Sequence, residues 1–465
     1  MSPKFGTSGL RGLVSDLSDK VVASYVQAFS EACPTGGTVH VGRDLRASSP
    51  KIAQAVINTI REVGLTAIDH GALPTPALAL ASITAGHSAI MVTGSHIPAD
   101  RNGLKFYVPS GEIDKTDETA IVDALTKPQS NSFQRGTYIE TSDALHTFVA
   151  RYINAFGPTS LQGLRIGVYQ HSSVARDVIV DIVTALGAET VSLARSDIFI
   201  PVDTEAVDPQ TRNMLAIWVN KYRLDAIVST DGDGDRPMVA GPDGVILSGD
   251  LLGPLTATVL NADILVTPIS SNSLIEQMIQ FPTCVRTRIG SPFVIAGIDA
   301  VRTTNPNAAV VGYEANGGFL LGFNAMGPAG PIAPLMTRDS ILPIIAPLVA
   351  AKKQGITLTQ LAATLPACFT ASGRVQNIKS DMSNKLITTL TQDQVARAAF
   401  FTGVGQEVAT DLTDGLRVTF ESGTIVHIRP SGNAPECRCY VEARTLEMAH
   451  TLVEIYLQKL LIQLA

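Results

Sequence analysis

Apolar and polar positions along the chain alternate between two periods. Residues 19–32 carry the three-to-four spacing of an amphipathic helix, 38–42 read as a short strand, 49–63 as a second helix closed by Gly64, and 65–69 as another strand. That succession predicts a βαβ unit. It recurs with a strand over 164–169, a helix over 174–186 stopped by Gly187 and a strand over 191–193, and a third round opens near 263–267. The C-terminal part differs, with short strands over 417–420, 424–428 and 437–442 and a closing helix over 446–461, a smaller α+β arrangement. Boundaries are expected near 145, 250 and 366, giving segments 1–145, 146–250, 251–366 and 367–465.

A length of 465 residues exceeds what one core supports, and 45 % hydrophobic residues with 38 glycines suit small-residue α/β layers. The apolar run 341–351 is interrupted by prolines and too short to span a bilayer, and the N-terminus lacks a basic-then-apolar leader, so a cytoplasmic protein without membrane association is expected. Five scattered cysteines do not make a disulfide framework; buried free thiols are expected, with Cys437 and Cys439 on one strand face. A net charge of −7 argues against nucleic acid as a partner.

Candidate chemistry sits in loops that follow apolar strands. The strand over 89–93 runs into Gly94-Ser95-His96-Ile97-Pro98 and then Asn102-Gly103-Leu104-Lys105. There the Ser95 hydroxyl sits on a constrained turn, His96 suits proton transfer and Lys105 suits an anionic group, although a polar turn between strands has the same composition. The strand over 224–229 leads to Asp231-Gly232-Asp233-Gly234-Asp235-Arg236, whose alternating carboxylates suit one hard cation. Arg236 and Pro242 stand where an EF-hand needs Gly and Glu, which excludes that motif.

A third loop, Tyr313-Glu314-Ala315-Asn316-Gly317-Gly318, pairs a carboxylate and an amide suited to sugar hydroxyls, and also reads as a hairpin turn. In the fourth, Arg429-Pro430-Ser431-Gly432-Asn433-Ala434-Pro435, a guanidinium, a hydroxyl, an amide and backbone N–H groups make a phosphate cradle, with Arg438 as a second cation. Phe5-Gly6-Thr7-Ser8-Gly9-Leu10-Arg11-Gly12 adds hydroxyls and an arginine near the N-terminus.

In this order and spacing, the five segments resemble the α-D-phosphohexomutase superfamily, which includes phosphomannomutases, phosphoglucomutases and the mutases of glucosamine and acetylglucosamine phosphates. The resemblance covers nearly the whole chain. It implies a four-domain architecture, three related α/β domains with mixed sheets plus a C-terminal α+β domain around a central cleft. It also implies that Ser95 is the phosphorylated serine, that Ser95, Asp231, Asp233 and Asp235 hold one Mg²⁺, and that Arg11, His96 and Lys105 surround the transferring group. Arg236, Arg288, Glu314, Asn316, Arg429, Ser431, Gly432, Asn433 and Arg438 are the implied substrate-binding set.

The implied reaction moves a phosphoryl group between the 1- and 6-positions of a hexose phosphate through a bisphosphate intermediate, with a hexose 1,6-bisphosphate as activator. Mannose 6-phosphate is the favoured substrate, and glucose, glucosamine and acetylglucosamine phosphates are alternatives. A Mg²⁺-dependent phosphatase or a non-catalytic sugar-phosphate binder is the alternative from another class. A monomer or small homo-oligomer is expected. Two departures bear on detail. Glu314-Ala315-Asn316-Gly317 replaces the Glu-x-Ser-Gly of many bacterial members, and Gly318-Phe319 and Arg288-Ile289-Gly290-Ser291 stand where some members carry histidines, leaving His96 or Lys105 to handle protons.

Overall fold

In the computed structural model, which describes residues 3–6, 9–126, 134–431 and 435–464, the described chain forms three mixed sheets, one five-stranded antiparallel sheet and a two-stranded antiparallel ribbon, Ala325–Met326 with Pro331–Ile332. The first sheet sets the strands Thr38–Arg43, Thr66–Ala72 and Ser88–Val92 parallel, and Arg101–Val108 then returns antiparallel beside Ser88–Val92. In the second, Arg165–His171, Glu189–Arg195 and Ala226–Thr230 are parallel and Pro237–Ala240 returns antiparallel. The third repeats this with Ile264–Pro268, Thr283–Thr287 and Val310–Tyr313 parallel and Phe319–Leu321 antiparallel.

This shared plan matters for function. In each sheet a buried parallel strand ends at its carboxyl edge and reverses through one tight loop, 93–100, 231–236 or 314–318, and such edges are where α/β sheets expose backbone for ligands. The fourth sheet is antiparallel throughout, in the order Phe369–Gln376, Glu436–Ala443, Ile425–Pro430, Leu416–Phe420, Glu407–Asp411, and Ser431 follows directly on its central strand.

One apolar core runs through the first three sheets, joining Leu73, Phe148, Val228, Leu252, Tyr313 and Leu342. The C-terminal sheet keeps a separate core around Val418, Val426, Cys439 and Tyr456. Hydrogen bonds tie it to the third sheet's loops, from the Ser273 N–H and hydroxyl to Glu442 and from the Ile289 N–H to Asp414.

The helix Asp19–Ala32 occupies the expected residues, its N-terminus capped by the Ser18 hydroxyl, which accepts from the Val21 N–H. The expected helix over 174–186 is shorter, Arg176–Ala185. The run 341–351 is not broken by its prolines: Ile341–Gln354 is one helix that carries Pro347 inside it. Ten of its residues are buried, and packing on all sides outweighs the lost hydrogen bond. Among the described residues no helix is long and apolar enough to cross a membrane. All five cysteines are free; Cys33, Cys437 and Cys439 are buried, whereas Cys284 and Cys368 are half-buried.

Candidate active site

Ser95 lies just beyond the fully buried strand Ser88–Val92, with φ +52°, a conformation that residues with a side chain adopt sparingly. Two residues that the sequence reading passed over hold it there. The Thr93 hydroxyl accepts from the Ser95 N–H at 2.7 Å and donates to Asp44 Oδ2 at 2.7 Å. Arg46, buried to 1 % exposure, donates to the carbonyls of Ser95 (2.8 Å), Ile97 (2.6 Å), Pro98 (2.7 Å) and Arg101 (3.0 Å). Its Nε is bound to Asp44 Oδ2 at 3.1 Å and its guanidinium lies 4.0 Å from the centre of the Phe199 ring. The available signal was Arg43-Asp44-Leu45-Arg46, a charged run directly after an apolar strand, where a plain turn has no need of it.

Ser95 Oγ donates to Asp231 Oδ2 at 2.7 Å, and the ring of His96 lies with Nδ1 3.3 Å from the same hydroxyl. Asp231, Asp233 and Asp235 are all buried and each offers an oxygen within 4.8 Å of the others. The positive φ of Gly234, +75°, lets the loop curl so that these oxygens meet. Burial, then the charges of Asp233 and Asp235, push the Asp231 carboxyl well above the usual range.

The loop is only partly neutralised from within. Lys105 Nζ sits 2.7 Å from Asp233 Oδ2 and 2.6 Å from Asp235 Oδ2, and the Thr75 hydroxyl donates to Asp233 Oδ2 at 2.7 Å. Burial opposes ionisation of Asp233, but Lys105 holds its carboxyl well below the ordinary value. The second oxygens, Asp233 Oδ1 and Asp235 Oδ1, are buried without a hydrogen-bond partner. Buried carboxylate oxygens that lie within reach of one another and lack hydrogen-bond donors are the donor set a small hard cation requires, so these residues fit Mg²⁺.

Arg11 and His96 complete the surroundings of Ser95. Arg11 donates to the Thr93 carbonyl at 2.8 Å, and its enclosure pushes its pKa down to about 10 against the pull of Asp233. Burial, then Arg236, push His96 down to about 3, so its ring is neutral near pH 7. Arg236 Nε stands 3.7 Å from Asp235 Oδ1.

Glu314 is 4 % exposed and joins the acidic loop through Arg338, a residue with no signal in the sequence. Arg338 Nε and Nη2 lie 3.0 and 2.9 Å from Asp235 Oδ2, and Nη1 lies 3.4 Å from Glu314 Oε2. Asn316 is half-buried; its Oδ1 accepts from the Gly318 N–H at 3.0 Å and its carbonyl accepts from the Thr204 hydroxyl at 3.0 Å. Glu205, on the same segment as Thr204, is exposed, and crowding by protein and the charge of Asp203 push its carboxyl up against the pull of Arg236 and Arg438.

Arg438 is paired with Glu436, Nε to Oε1 at 2.8 Å. Arg429 and Arg288 gather instead around the loop 411–415. Arg429 Nε donates to Asp414 Oδ1 at 2.9 Å, and Arg288 Nε to the Thr413 carbonyl at 3.3 Å. Both line a cavity of about 520 Å³ shared with Phe5, Lys115 and Phe293, large enough for a sugar phosphate. Ser431 is buried at 5 % exposure, its N–H donating to the Glu436 carbonyl at 2.9 Å. Gly432 and Asn433 of the expected cradle lie outside the described residues.

Four domain models of one family, phosphoglucomutase/phosphomannomutase, match the chain in order: alpha/beta/alpha domain I over 2–132, domain II over 147–244, domain III over 248–369 and the C-terminal domain over 378–457. The chain belongs to the phosphoglucomutase/phosphomannomutase family. It is therefore a phosphohexomutase, an isomerase acting on hexose phosphates. Phosphohexomutases similar to it include a phosphomannomutase of Sinorhizobium fredii (strain NBRC 101917 / NGR234), 45 % identical over 466 residues and covering 97 % of this chain and 98 % of that one. A phosphomannomutase of Salmonella muenchen is 43 % identical over 461 residues, covering 98 % and 95 %.

Solved structures share the fold of this phosphohexomutase. A phosphoglucomutase/phosphomannomutase family protein of Burkholderia thailandensis superposes with a TM-score of 0.78 at 20 % identity, covering 98 % of this chain and 97 % of that one. Aspergillus fumigatus N-acetylphosphoglucosamine mutase, in complex with GlcNAc-6P and magnesium, superposes with a TM-score of 0.60 at 14 % identity, covering 100 % and 96 %.

Proposed function

We propose that the chain interconverts mannose 6-phosphate and mannose 1-phosphate through a phosphoserine at Ser95. The observation that carries this reading is the hydroxyl of Ser95 bonded to the first of three buried, converging aspartates. The choice of mannose rests on the two phosphomannomutase relatives at 45 % and 43 % identity.

In this reading phosphorylated Ser95 gives its phosphoryl group to the free hydroxyl of a hexose monophosphate, whose proton leaves as the new P–O bond forms and the Ser95 Oγ–P bond breaks. The resulting bisphosphate turns in the cleft and returns its other phosphoryl group to Ser95 Oγ, so the net change is an isomerisation. A trace of hexose 1,6-bisphosphate primes unphosphorylated enzyme. Asp231, Asp233 and Asp235, with an oxygen on Ser95, would hold a Mg²⁺ ion, which would supply positive charge against the transferring group.

The protein's own groups do the rest. Lys105 and Arg11 add positive charge beside Ser95, and His96 presents Nδ1 for proton transfer 3.3 Å from Ser95 Oγ. Glu314 and Asn316 read sugar hydroxyls, while Arg429, Ser431, Gly432, Asn433 and Arg438 hold the phosphate that is not being transferred, with Arg236 and Arg288 beside it. Domain borders near 145, 250 and 366 would then put one of the four loops on each domain.

The test supplies Mg²⁺, a trace of hexose 1,6-bisphosphate and, separately, the 1-phosphates of mannose, glucose, glucosamine and acetylglucosamine, and follows the phosphate esters by phosphorus NMR. Fastest interconversion with mannose phosphate is expected. Preference for another sugar replaces the substrate and keeps the mechanism. Release of inorganic phosphate alone makes the chain a phosphatase, and binding without turnover makes it a sugar-phosphate binder; either sinks the reading.

A further inference from the structure

Arg338 is among the most enclosed charges in the molecule, at 3 % exposure, and it lies on no segment that composition or spacing singles out. It stands on the strand Leu335–Asp339, paired with Phe319–Leu321 across an irregular register: Phe319 faces Asp339 and Leu321 faces Leu335. Such a bulge re-aims side chains, and here the guanidinium reaches the metal-type loop and the sugar-type loop at once.

At one end, Nε and Nη2 both engage Asp235 Oδ2, at 3.0 and 2.9 Å, which leaves Asp235 Oδ1 on the side without a hydrogen-bond partner. At the other, Nη1 faces Glu314 Oε2 at 3.4 Å. The same chain end makes a second tie, the Ser340 hydroxyl donating to the Gly234 carbonyl at 2.7 Å. Electrostatics agree, since Arg338 is the foremost group holding the Asp235 carboxyl down against burial.

Room for this arrangement comes from Gly318. A Cβ built on it would lie 2.5 Å from Arg338 Cδ and 2.7 Å from Cγ, so no larger residue fits at 318 while Arg338 keeps its place. The position after the sugar loop and residue 338 therefore form a matched pair, in which the absence of a side chain on one strand admits the cation from the next.

We propose that Arg338 is a positioning residue that sets the carboxylates of Asp235 and Glu314 relative to each other, so that the ion site and the sugar-hydroxyl site are held in one register. This rests on the roles given above to Asp235 and Glu314. One forked cation bonded to both carboxylates fixes which oxygen of each is left for its ligand, and outer partners of that kind change metal affinity or activity by about 10–100-fold when lost.

Arg338→Lys keeps the charge and loses the fork. In the sugar-free protein its Mn²⁺ affinity, read by electron paramagnetic resonance, is expected to weaken about tenfold, and KM for the hexose phosphate to rise about tenfold. In the double variant Glu314→Gln/Arg338→Lys, KM is expected to match that of Glu314→Gln alone, because the second change acts through a carboxylate already removed. Unchanged Mn²⁺ affinity, or fully additive losses in KM, overturns the proposal and leaves Arg338 a packing residue. Should Arg338→Lys not fold, Arg338→Gln, which reaches one carboxylate at most, carries the same two measurements. If the unaltered chain shows no mutase turnover, the functional reading fails by itself, while the Mn²⁺ titration still decides whether Arg338 orients Asp235.

Discussion

Ser95 Oγ and Asp231 Oδ2 are 2.7 Å apart although 136 residues separate them in the chain. The contact joins the reversal loop of the first sheet to that of the second, and it points the hydroxyl at the oxygens of the acidic cluster. Substituting Ser95→Ala removes the proposed acceptor of the phosphoryl group and nothing larger than one oxygen. Turnover is expected to fall by at least ~10³-fold, and intact-mass measurement after incubation with a hexose 1,6-bisphosphate is expected to show no added phosphoryl group. Stoichiometric phosphorylation of the variant at another residue would remove Ser95 from the mechanism.

Lys105 is the cation that Asp233 and Asp235 share, 4 % exposed at its side chain. Removing one partner of a buried charge cluster strands the others, at a cost on the order of 3–5 kcal/mol. Lys105→Met should therefore lower the melting temperature markedly in the presence of a chelator, and saturating Mg²⁺ should recover much of the difference by supplying the missing positive charge. A variant that melts like the parent in the chelator, or gains nothing from Mg²⁺, contradicts a metal-type role for the acidic loop.

The strands that lead into three of the loops were legible because a buried strand before a glycine-rich polar turn leaves a local pattern: Ser88–Val92, Ala226–Thr230 and Ile425–Pro430 all lie within two residues of their expected positions. The acidic loop was legible for the same reason, three carboxylates being one short motif. What escaped was support from a distance. Arg46 acts on carbonyls 49 to 55 residues away and Arg338 on carboxylates 24 and 103 residues away, and a lone arginine after or within a strand has no periodicity that announces its partners. Pro347 misled in the opposite direction, because a helix enclosed on every side tolerates a proline that an exposed one would not.

Asp250 gives a pH prediction away from the site. It is 5 % exposed; one oxygen accepts from the Asn272 N–H at 3.1 Å and the other is unpaired, and burial raises its carboxyl from 3.8 to about 6. A carboxyl raised in the folded state favours folding fully below its unfolded value, and that contribution is lost as the pH climbs through the folded value. At pH 7 the ionised group thus costs the fold at most about 3 kcal/mol. Asp250→Asn, which stays neutral and keeps an oxygen for the Asn272 N–H, is expected to be more stable than the parent near pH 7 and to lose that advantage below about pH 4. Denaturant unfolding across this range checks it, and a gap that does not change with pH removes Asp250 as its source.

Arg46 tests whether the conformation of the Ser95 loop is itself part of the chemistry. Its donors satisfy the carbonyls of Ser95, Ile97, Pro98 and Arg101, so the guanidinium works as a template on which the loop is folded, with Asp44 and the Phe199 ring fixing the template. Lysine keeps the charge beside Asp44 but presents a point in place of a planar fork, and cannot reach all of these carbonyls together. With Arg46→Lys the positive φ of Ser95 loses its support, and a hydroxyl displaced by about 1 Å costs on the order of 10²-fold in rate. Expected results are a fall in kcat of that size, KM for the hexose phosphate within about twofold of the parent, and faster limited proteolysis between residues 95 and 101. A kcat within about twofold of the parent would mean that the sheet edge alone orients Ser95, and that Arg46 serves stability only.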